Sequence, residues 1–190
     1  MVTIEELEEV AKEVGTPKKN TTSKESWKAF ERKVASDFGT TRTPLSGMVK
    51  TITNSDTLHP KLYIECKYRG DDFKFWDAFE QKRLDNPNTI FILCIHPKGR
   101  AMVHLYYFED FFDRIKGSNK QVKIISSKVY KGICTLFEQT IERGAIEDKL
   151  PIIAVKKKGA KGYLVGVMPS EYKEVEKIIS KKNHNGSRGK

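Results

Sequence analysis

The sequence predicts an α/β fold in which a mixed β-sheet is flanked by helices. Residues 61–67 alternate as a β-strand does, with Leu62, Ile64 and Cys66 on one face. Residues 89–95 form a nearly continuous apolar run, which is typical of a central strand. Apolar residues at helical spacing over 23–37 and 72–84 predict helices that pack on this sheet.

The length and charge of the chain limit its class. Its 190 residues suit one domain with a small extension and a buried core. The net charge of +10 predicts a polyanionic partner, a nucleic acid before a membrane, although a basic protein without such a partner is the alternative. There is no signal peptide and no apolar run of membrane length, so we expect a cytoplasmic location. Cys66, Cys94 and Cys134 lie far apart in apolar segments, which favours reduced core residues over a disulfide or a zinc site.

Both ends of the chain differ from the part between them. Residues 3–14 are predicted to form a helix that ends at Gly15, and residues 16–20 form a linker. Residues 1–14 contain five glutamates and one lysine, so we expect this helix to pack on the core or on a partner, because its acidic face repels DNA. Residues 183–190 have no apolar side chain. The predicted divisions are an N-terminal helix and linker at 1–20, a main domain at 21–180 and a basic, flexible tail at 181–190.

Glu31 borders the apolar stripe of the helix predicted at 23–37. A carboxylate in this position is costly unless it has a partner. One interpretation is a ligand for a metal ion or its water. The other is a salt bridge at the edge of the helix, with Arg32 or Lys28. The stripe itself consists of Trp27, Phe30, Val34 and Phe38.

The helix predicted at 72–84 carries aromatic side chains on one face. Aromatic rings stack on bases in some nucleic-acid-binding proteins, but at helical spacing they are more often core residues, so we predict a core position. After the strand at 89–95, the chain is expected to form a second strand at 101–107 and a short helix at 108–116. The aromatic residues concerned are Phe75, Trp76 and Phe79.

A pattern in the second half of the chain recurs after sixty residues. The apolar strand at 92–95, followed by a Lys-Gly turn, recurs at 152–155, followed by another Lys-Gly turn. Each copy follows a predicted helix and precedes a further strand and an aromatic helical segment. This arrangement is consistent with a duplicated helix–hairpin unit. Two ordinary hairpins with similar turns are the alternative, and either unit can complete the sheet.

Three residues at one end of the strand at 61–67 suggest metal chemistry. Glu65 and Lys67 share a face of the strand because side chains alternate with a period of two. Asp56 lies just before the strand, where its carboxylate can meet Glu65. Two carboxylates and a lysine at the end of a small sheet can hold a divalent metal ion and a water molecule beside a phosphate.

These residues resemble the pattern of the PD-(D/E)XK nuclease superfamily, in which an aspartate precedes a Glu-x-Lys strand. The segment 42–47, Arg-Thr-Pro-Leu-Ser-Gly, resembles the corresponding segment of archaeal-type Holliday junction resolvases and their phage relatives. Glu31 lies where those enzymes carry a glutamate on the first core helix. The resemblance covers residues 23–69, the core motifs of the main domain. It departs from the family at Thr57, where an aliphatic residue is common, and at the loop 58–60.

The resemblance implies a restriction-endonuclease-like fold and metal-dependent hydrolysis of phosphodiester bonds. Asp56 and Glu65 would bind Mg²⁺ or Mn²⁺, with Glu31 and the backbone carbonyl of Cys66 as further ligands. Lys67 would orient or help to deprotonate the attacking water and would offset negative charge in the transition state.

The resolvase pattern further implies a homodimer that cuts two opposing strands of branched DNA. Arg42 and Ser46 would contact the DNA backbone near the scissile phosphate. A second group of basic side chains suits phosphate contacts, although such a group is often only a solvated surface. Another superfamily nuclease that acts on linear DNA (restriction-like, homing or repair) and a non-catalytic nucleic-acid-binding protein are the alternatives. The second basic group consists of Arg69, Lys156, Lys157, Lys158 and Lys161.

Overall fold

A computed structural model describes residues 22–44, 54–69, 75–96, 99–127 and 131–185. Within these ranges the protein is a six-stranded mixed sheet flanked by five helices, which confirms the predicted α/β class. No helix in these ranges is long and apolar enough to cross a lipid bilayer. Several sequence predictions fall outside the described residues: the helix at 3–14, the linker at 16–20 and the DNA contact at Ser46.

Most of the predicted elements occur close to their predicted bounds. The helices are α1 (Thr22–Asp37), α2 (Trp76–Asp85), α3 (Phe108–Ile115), α4 (Lys131–Ile146) and α5 (Tyr172–Asn185). The strands are β1 (Leu62–Arg69), β2 (Thr89–Ile95), β3 (Val103–Tyr107), β4 (Gln121–Ser127), β5 (Leu150–Lys157) and β6 (Leu164–Val167).

Two differences from the sequence predictions have simple physical reasons. Helix α5 continues to Asn185, beyond the start of the tail predicted at 181, because the polar residues there extend a helix that is already anchored by buried Val175 and Ile179. Strand β4 was not predicted. It lies at the edge of the sheet, where Val122 is 46% exposed and Ile124 is 58% exposed. Because these apolar side chains are not buried, the strand has no clear alternation between buried and exposed positions.

The order of the six described strands is β1-β5-β6-β3-β2-β4. The two predicted hairpins, β2–β3 and β5–β6, both form, and they join through an antiparallel pairing of β3 with β6. Strand β1 pairs in parallel with β5, and β4 pairs in parallel with β2. The element order strand–helix–strand–strand–helix therefore occurs twice, and the first strand of each half pairs with the hairpin of the other half. The second hairpin is the one that extends the sheet from β1.

Two apolar clusters cover the two faces of the sheet. On one face, Phe30 and Val34 of α1 pack on Ile64 and Cys66 of β1. The other face is covered by α2 and α4, whose buried residues include Trp76, Phe79, Ile133 and Phe137. Trp76 and Phe79 are 2% and 4% exposed, which confirms their predicted core position.

The cysteines follow the same division between core and surface. Cys66 and Cys134 are buried free thiols, as predicted, whereas Cys94 is only half-buried.

Candidate active site

A short segment, residues 54–59, lies along the outer edge of β1 and replaces a neighbouring strand there. The backbone N–H of Ile64 donates to Ser55 Oγ at 3.0 Å, and Ser55 Oγ donates to the carbonyl of Ile64 at 3.2 Å. The N–H of Asp56 also donates to the Ile64 carbonyl at 3.0 Å. Ser55 is fully buried, so its hydroxyl satisfies backbone groups that no water reaches. This contact fixes the position of Asp56 beside β1.

The first residues of the segment 42–47 form hydrogen bonds with the backbone on either side of the Ser55–Asp56 peptide bond. The N–H of Thr43 donates to the carbonyl of Asp56 at 3.0 Å, and Thr43 Oγ1 donates to the carbonyl of Ser55 at 2.8 Å. Arg42 and Thr57 form an isolated antiparallel bridge. Thr43 and Thr57 are both buried. The segment 42–47 therefore begins as a backbone support for the candidate site, a role that its sequence alone did not reveal.

Asp56 and Glu65 lie close together, as the sequence predicted. Burial, and then the neighbouring Glu65 carboxylate, raise the pKa of Asp56 from 3.8 to about 7, although the N–H of Cys66 opposes the shift. That N–H donates to Asp56 Oδ2 at 2.7 Å. In a strand, the N–H and the carbonyl of one residue point to the same edge, as both groups of Ile64 do here. The Cys66 carbonyl is therefore directed to the edge of β1 on which Asp56 lies.

Glu65 is held between two cations. Lys67 Nζ donates to Glu65 Oε1 at 2.9 Å, in agreement with the predicted shared face. On the other side, Arg143 Nη1 lies 3.7 Å from Glu65 Oε2. Arg143 belongs to α4 and was missed by the sequence analysis, because no local spacing connects it with β1.

Helix α4 approaches β1 closely because of a glycine next to Arg143. A Cβ atom added to Gly144 would lie 2.8 Å from the backbone oxygen of Lys149 and 3.3 Å from Tyr63 Cβ. A side chain here would displace the backbone of Lys149, so Gly144 allows the close packing that brings Arg143 to Glu65.

Glu31 is fully buried and forms an ion pair with Arg42 through its Oε2 atom. Neither of the predicted surface partners takes this place, and Arg32 instead donates to the carbonyl of Lys28. Arg42 is largely buried, and its guanidinium lies 5.7 Å from the ring centroid of Trp27. The charge of Glu31 also contributes to the raised pKa of Asp56, so the first helix does bring its carboxylate near the site.

The residues at this edge fit a hard divalent cation. The described residues contain no group of three or more His, Cys, Asp and Glu side chains arranged to hold a metal. Asp56 and Glu65 nevertheless offer two adjacent carboxylates, and the Cys66 carbonyl lies at the same edge. Mg²⁺ is commonly bound by one or two carboxylates while waters and substrate phosphates complete its shell. Glu31 would act only after it exchanges its contact with Arg42.

Basic side chains surround the carboxyl ends of β1 and β5. Exposed Arg69 lies opposite Lys157, which is held by Asp77 at 2.8 Å. Lys156 lies over the ring of Phe30 at 5.9 Å, and burial and a neighbouring lysine lower its pKa. Lys158 and Lys161 are exposed nearby. We call these five basic residues the basic rim: Arg69, Lys156, Lys157, Lys158 and Lys161.

Comparisons of this chain with protein families, curated proteins and solved structures give no match.

The raised pKa of Asp56 predicts an unusual dependence of stability on pH. The folded carboxyl holds its proton up to about pH 7, whereas the unfolded one loses it near 3.8, so raising the pH through this window weakens the folded state. Asp56→Asn cannot ionise and still offers an oxygen to Cys66. Since one pKa unit corresponds to about 1.4 kcal/mol, we expect this variant to be more stable than the wild type at pH 8 by at least about 1 kcal/mol.

Thermal unfolding at pH 5 and pH 8 in chelator measures this difference. The exposed residue Asp85 provides a control, because Asp85→Asn should change stability little and equally at both pH values. A gain for Asp56→Asn that is the same at pH 5 and pH 8 would contradict the prediction.

Proposed function

We propose that this protein is a metal-dependent DNA endonuclease of the PD-(D/E)XK type, with a restriction-endonuclease-like sheet, that hydrolyses phosphodiester bonds. The observation that carries the proposal is the meeting of Asp56, Glu65 and Lys67 at one edge of β1. Two carboxylates and a lysine at a partly buried edge, next to a basic rim, suit hydrolysis of a polyanion.

Each of these side chains has a chemical role in the proposal. Asp56 and Glu65, with the Cys66 carbonyl, would hold Mg²⁺ or Mn²⁺, which supplies Lewis-acid activation of a bound water near neutral pH. Lys67 extends along the same face as Glu65, at 2.9 Å from its carboxylate. From there its ammonium group orients the attacking water and offsets the charge that develops on the phosphate.

The charge distribution supports a nucleic-acid substrate. Arg69, Lys158 and Lys161 are exposed side chains of the basic rim. Lys156 and Lys157 already contact other groups of the protein, so they contribute mainly to the local potential. A net charge of +10 adds a long-range attraction for DNA in the cytoplasm.

Within this class, we propose branched DNA as the substrate. The resemblance of residues 42–47 to junction resolvases supports this choice, and the structure joins the start of that segment to Asp56 through Thr43. Ser46 remains a proposed contact to the DNA backbone, whereas Arg42, which pairs with buried Glu31, would have to exchange that ion pair before it contacts DNA. A two-fold homodimer would place two equivalent sites on opposing strands of a four-way junction.

A second candidate function is binding of nucleic acid without catalysis. Cations of the protein already neutralise two of the carboxylates, since Glu65 lies between Lys67 and Arg143, and Glu31 pairs with Arg42. A permanently balanced cluster of this kind would be only a structural ion-pair network.

A cleavage panel separates these functions. The purified protein is incubated with a labelled four-way junction, a fork and a matched linear duplex, in Mg²⁺, in Mn²⁺ and in EDTA. We expect paired cuts in opposing strands of the junction, little cutting of the duplex, and no product in EDTA. Equal cutting of linear duplex would leave a nuclease that is not a resolvase. Tight, metal-independent binding without any product would favour the non-catalytic function.

A further inference from the structure

Arg143 occupies an unusual position at the candidate site. Its side chain is 48% exposed, and its guanidinium lies 3.7 Å from Glu65 Oε2, while Lys67 donates to the other oxygen of the same carboxylate at 2.9 Å. Two cations thus share one carboxylate. The described distances make Lys67 the closer partner and Arg143 the looser one.

The contact between Arg143 and Glu65 is weak by geometry. A distance of 3.7 Å exceeds the range of a normal hydrogen bond, and half of the arginine side chain is in contact with solvent. Glu65 itself is buried, but Lys67 donates to it at the shorter distance of 2.9 Å, so the carboxylate keeps a closer cation when the arginine moves away. A guanidinium offers a planar fork of donors that matches a phosphate in two parallel hydrogen bonds.

The backbone that carries Arg143 is, in contrast, firmly placed. Gly144 packs against Tyr63 and the backbone of Lys149 so closely that no Cβ atom fits. Lys149 also donates its N–H to the carbonyl of Gly144 at 2.9 Å. The base of the arginine is therefore fixed beside β1, and only its end can move between Glu65 and a group bound in front of it.

We infer that Arg143 is a phosphate-binding residue of this site. Its ion pair with Glu65 keeps it from the phosphate until the carboxylate binds a divalent cation. The inference rests on the proposed function, because it assigns Glu65 to a metal ion. When a divalent cation replaces the cations of the protein at Glu65, Arg143 is released at the edge where the substrate phosphate would lie. Metal uptake and phosphate binding are then coupled through one carboxylate.

Removal of the Glu65 charge should imitate this release without any metal. We would measure DNA affinity in EDTA against salt concentration for the wild type, Glu65→Gln, Arg143→Gln and the double variant, with a labelled four-way junction as the probe. Each phosphate contact contributes a slope of about 0.9 in log affinity against log salt. We expect Arg143→Gln to change the slope little in the wild type, and to lower it by about 0.9 in the Glu65→Gln background.

Arg114→Gln is a matched control, because it removes the same charge from α3, which packs on β2, β3 and β6. We expect it to have the same effect in both backgrounds. Circular dichroism of each variant would confirm folding. An equal slope change for Arg143→Gln in both backgrounds, or none in either, would overturn the inference.

Cleavage by the wild type in Mg²⁺ tests the proposed function separately. If the wild type cleaves DNA but Arg143→Gln changes the salt slope equally in both backgrounds, the role of Arg143 is refuted and the proposed nuclease function stands. If Arg143→Gln lowers the salt slope only in the Glu65→Gln background and no cleavage occurs in Mg²⁺ or Mn²⁺, the proposed nuclease function is refuted. Arg143 then remains a phosphate-binding residue that Glu65 masks.

Discussion

Glu65→Gln is expected to lower the rate of DNA cleavage by at least about 10²-fold, the scale seen when one preorganised charge-stabilising group is removed from an active site. The glutamine keeps the shape of the side chain but loses the negative charge that the metal ion and Lys67 both need. DNA affinity should remain or rise, because a negative charge near the phosphate backbone is removed. Single-turnover cleavage of the four-way junction, with affinity measured in parallel, gives both numbers.

Glu138→Gln is a matched control for this experiment. Glu138 lies on α4, forms an ion pair with Arg100 at 3.3 Å and is partly exposed, but it does not belong to the candidate site. Its replacement should leave the cleavage rate within about two-fold, since surface ion pairs contribute little. A folded Glu65→Gln protein that cuts at the wild-type rate would remove the proposed active site.

Ser55→Ala is expected to cause a large loss of stability. The Ser55 hydroxyl accepts hydrogen bonds from the N–H groups of Ile64 at 3.0 Å and Thr57 at 3.3 Å, and both residues are buried. Alanine leaves these two donors without that acceptor, at about 1–3 kcal/mol each, so we expect a loss of about 2–6 kcal/mol. For a protein of this size, the melting temperature should fall by on the order of 10 °C.

The same change should also reduce cleavage, because the Ser55 contacts hold the backbone of Asp56 against β1. Ser36→Ala on the exposed side of α1 is the control, and should shift the melting temperature by no more than about 2 °C. Thermal unfolding in EDTA measures the stability effect alone, and cleavage well below the melting temperature measures the effect on the site. A Ser55→Ala protein as stable as the wild type would show that the segment 54–59 does not depend on this hydroxyl.

The sequence was a good guide wherever function depends on local periodicity. Alternation along β1 placed Glu65 and Lys67 on one face, and their Nζ and Oε1 atoms do meet at 2.9 Å. Helical spacing placed Glu31 at the border of an apolar stripe, and this side chain is fully buried. It also identified Trp76 and Phe79 as core residues.

Other features could not be read from local patterns. The partner of Glu31 is Arg42, which lies beyond the end of α1, whereas the sequence suggested a neighbour on the same helix. Serine is common in turns, so nothing in the sequence distinguishes Ser55. Its hydroxyl acts as a hydrogen-bond partner of β1 only because the segment 54–59 lies along the edge of that strand. The sheet also shows that the two halves are not equivalent at the site: Glu65 of β1 lies opposite Ile153 of β5, whereas its counterpart in β4, Ile125, lies opposite Leu93 of β2.

The sequence by itself determined the α/β class, the two hairpins and the shared face of Glu65 and Lys67, because strand alternation and helical spacing are properties of neighbouring residues. Only the tertiary structure decided which hairpin extends the sheet from β1, and that Arg143 reaches Glu65. Both depend on the parallel pairing of β1 with β5 and on the close approach of α4 at Gly144. Such contacts join residues that are distant in the chain, and no local pattern specifies them.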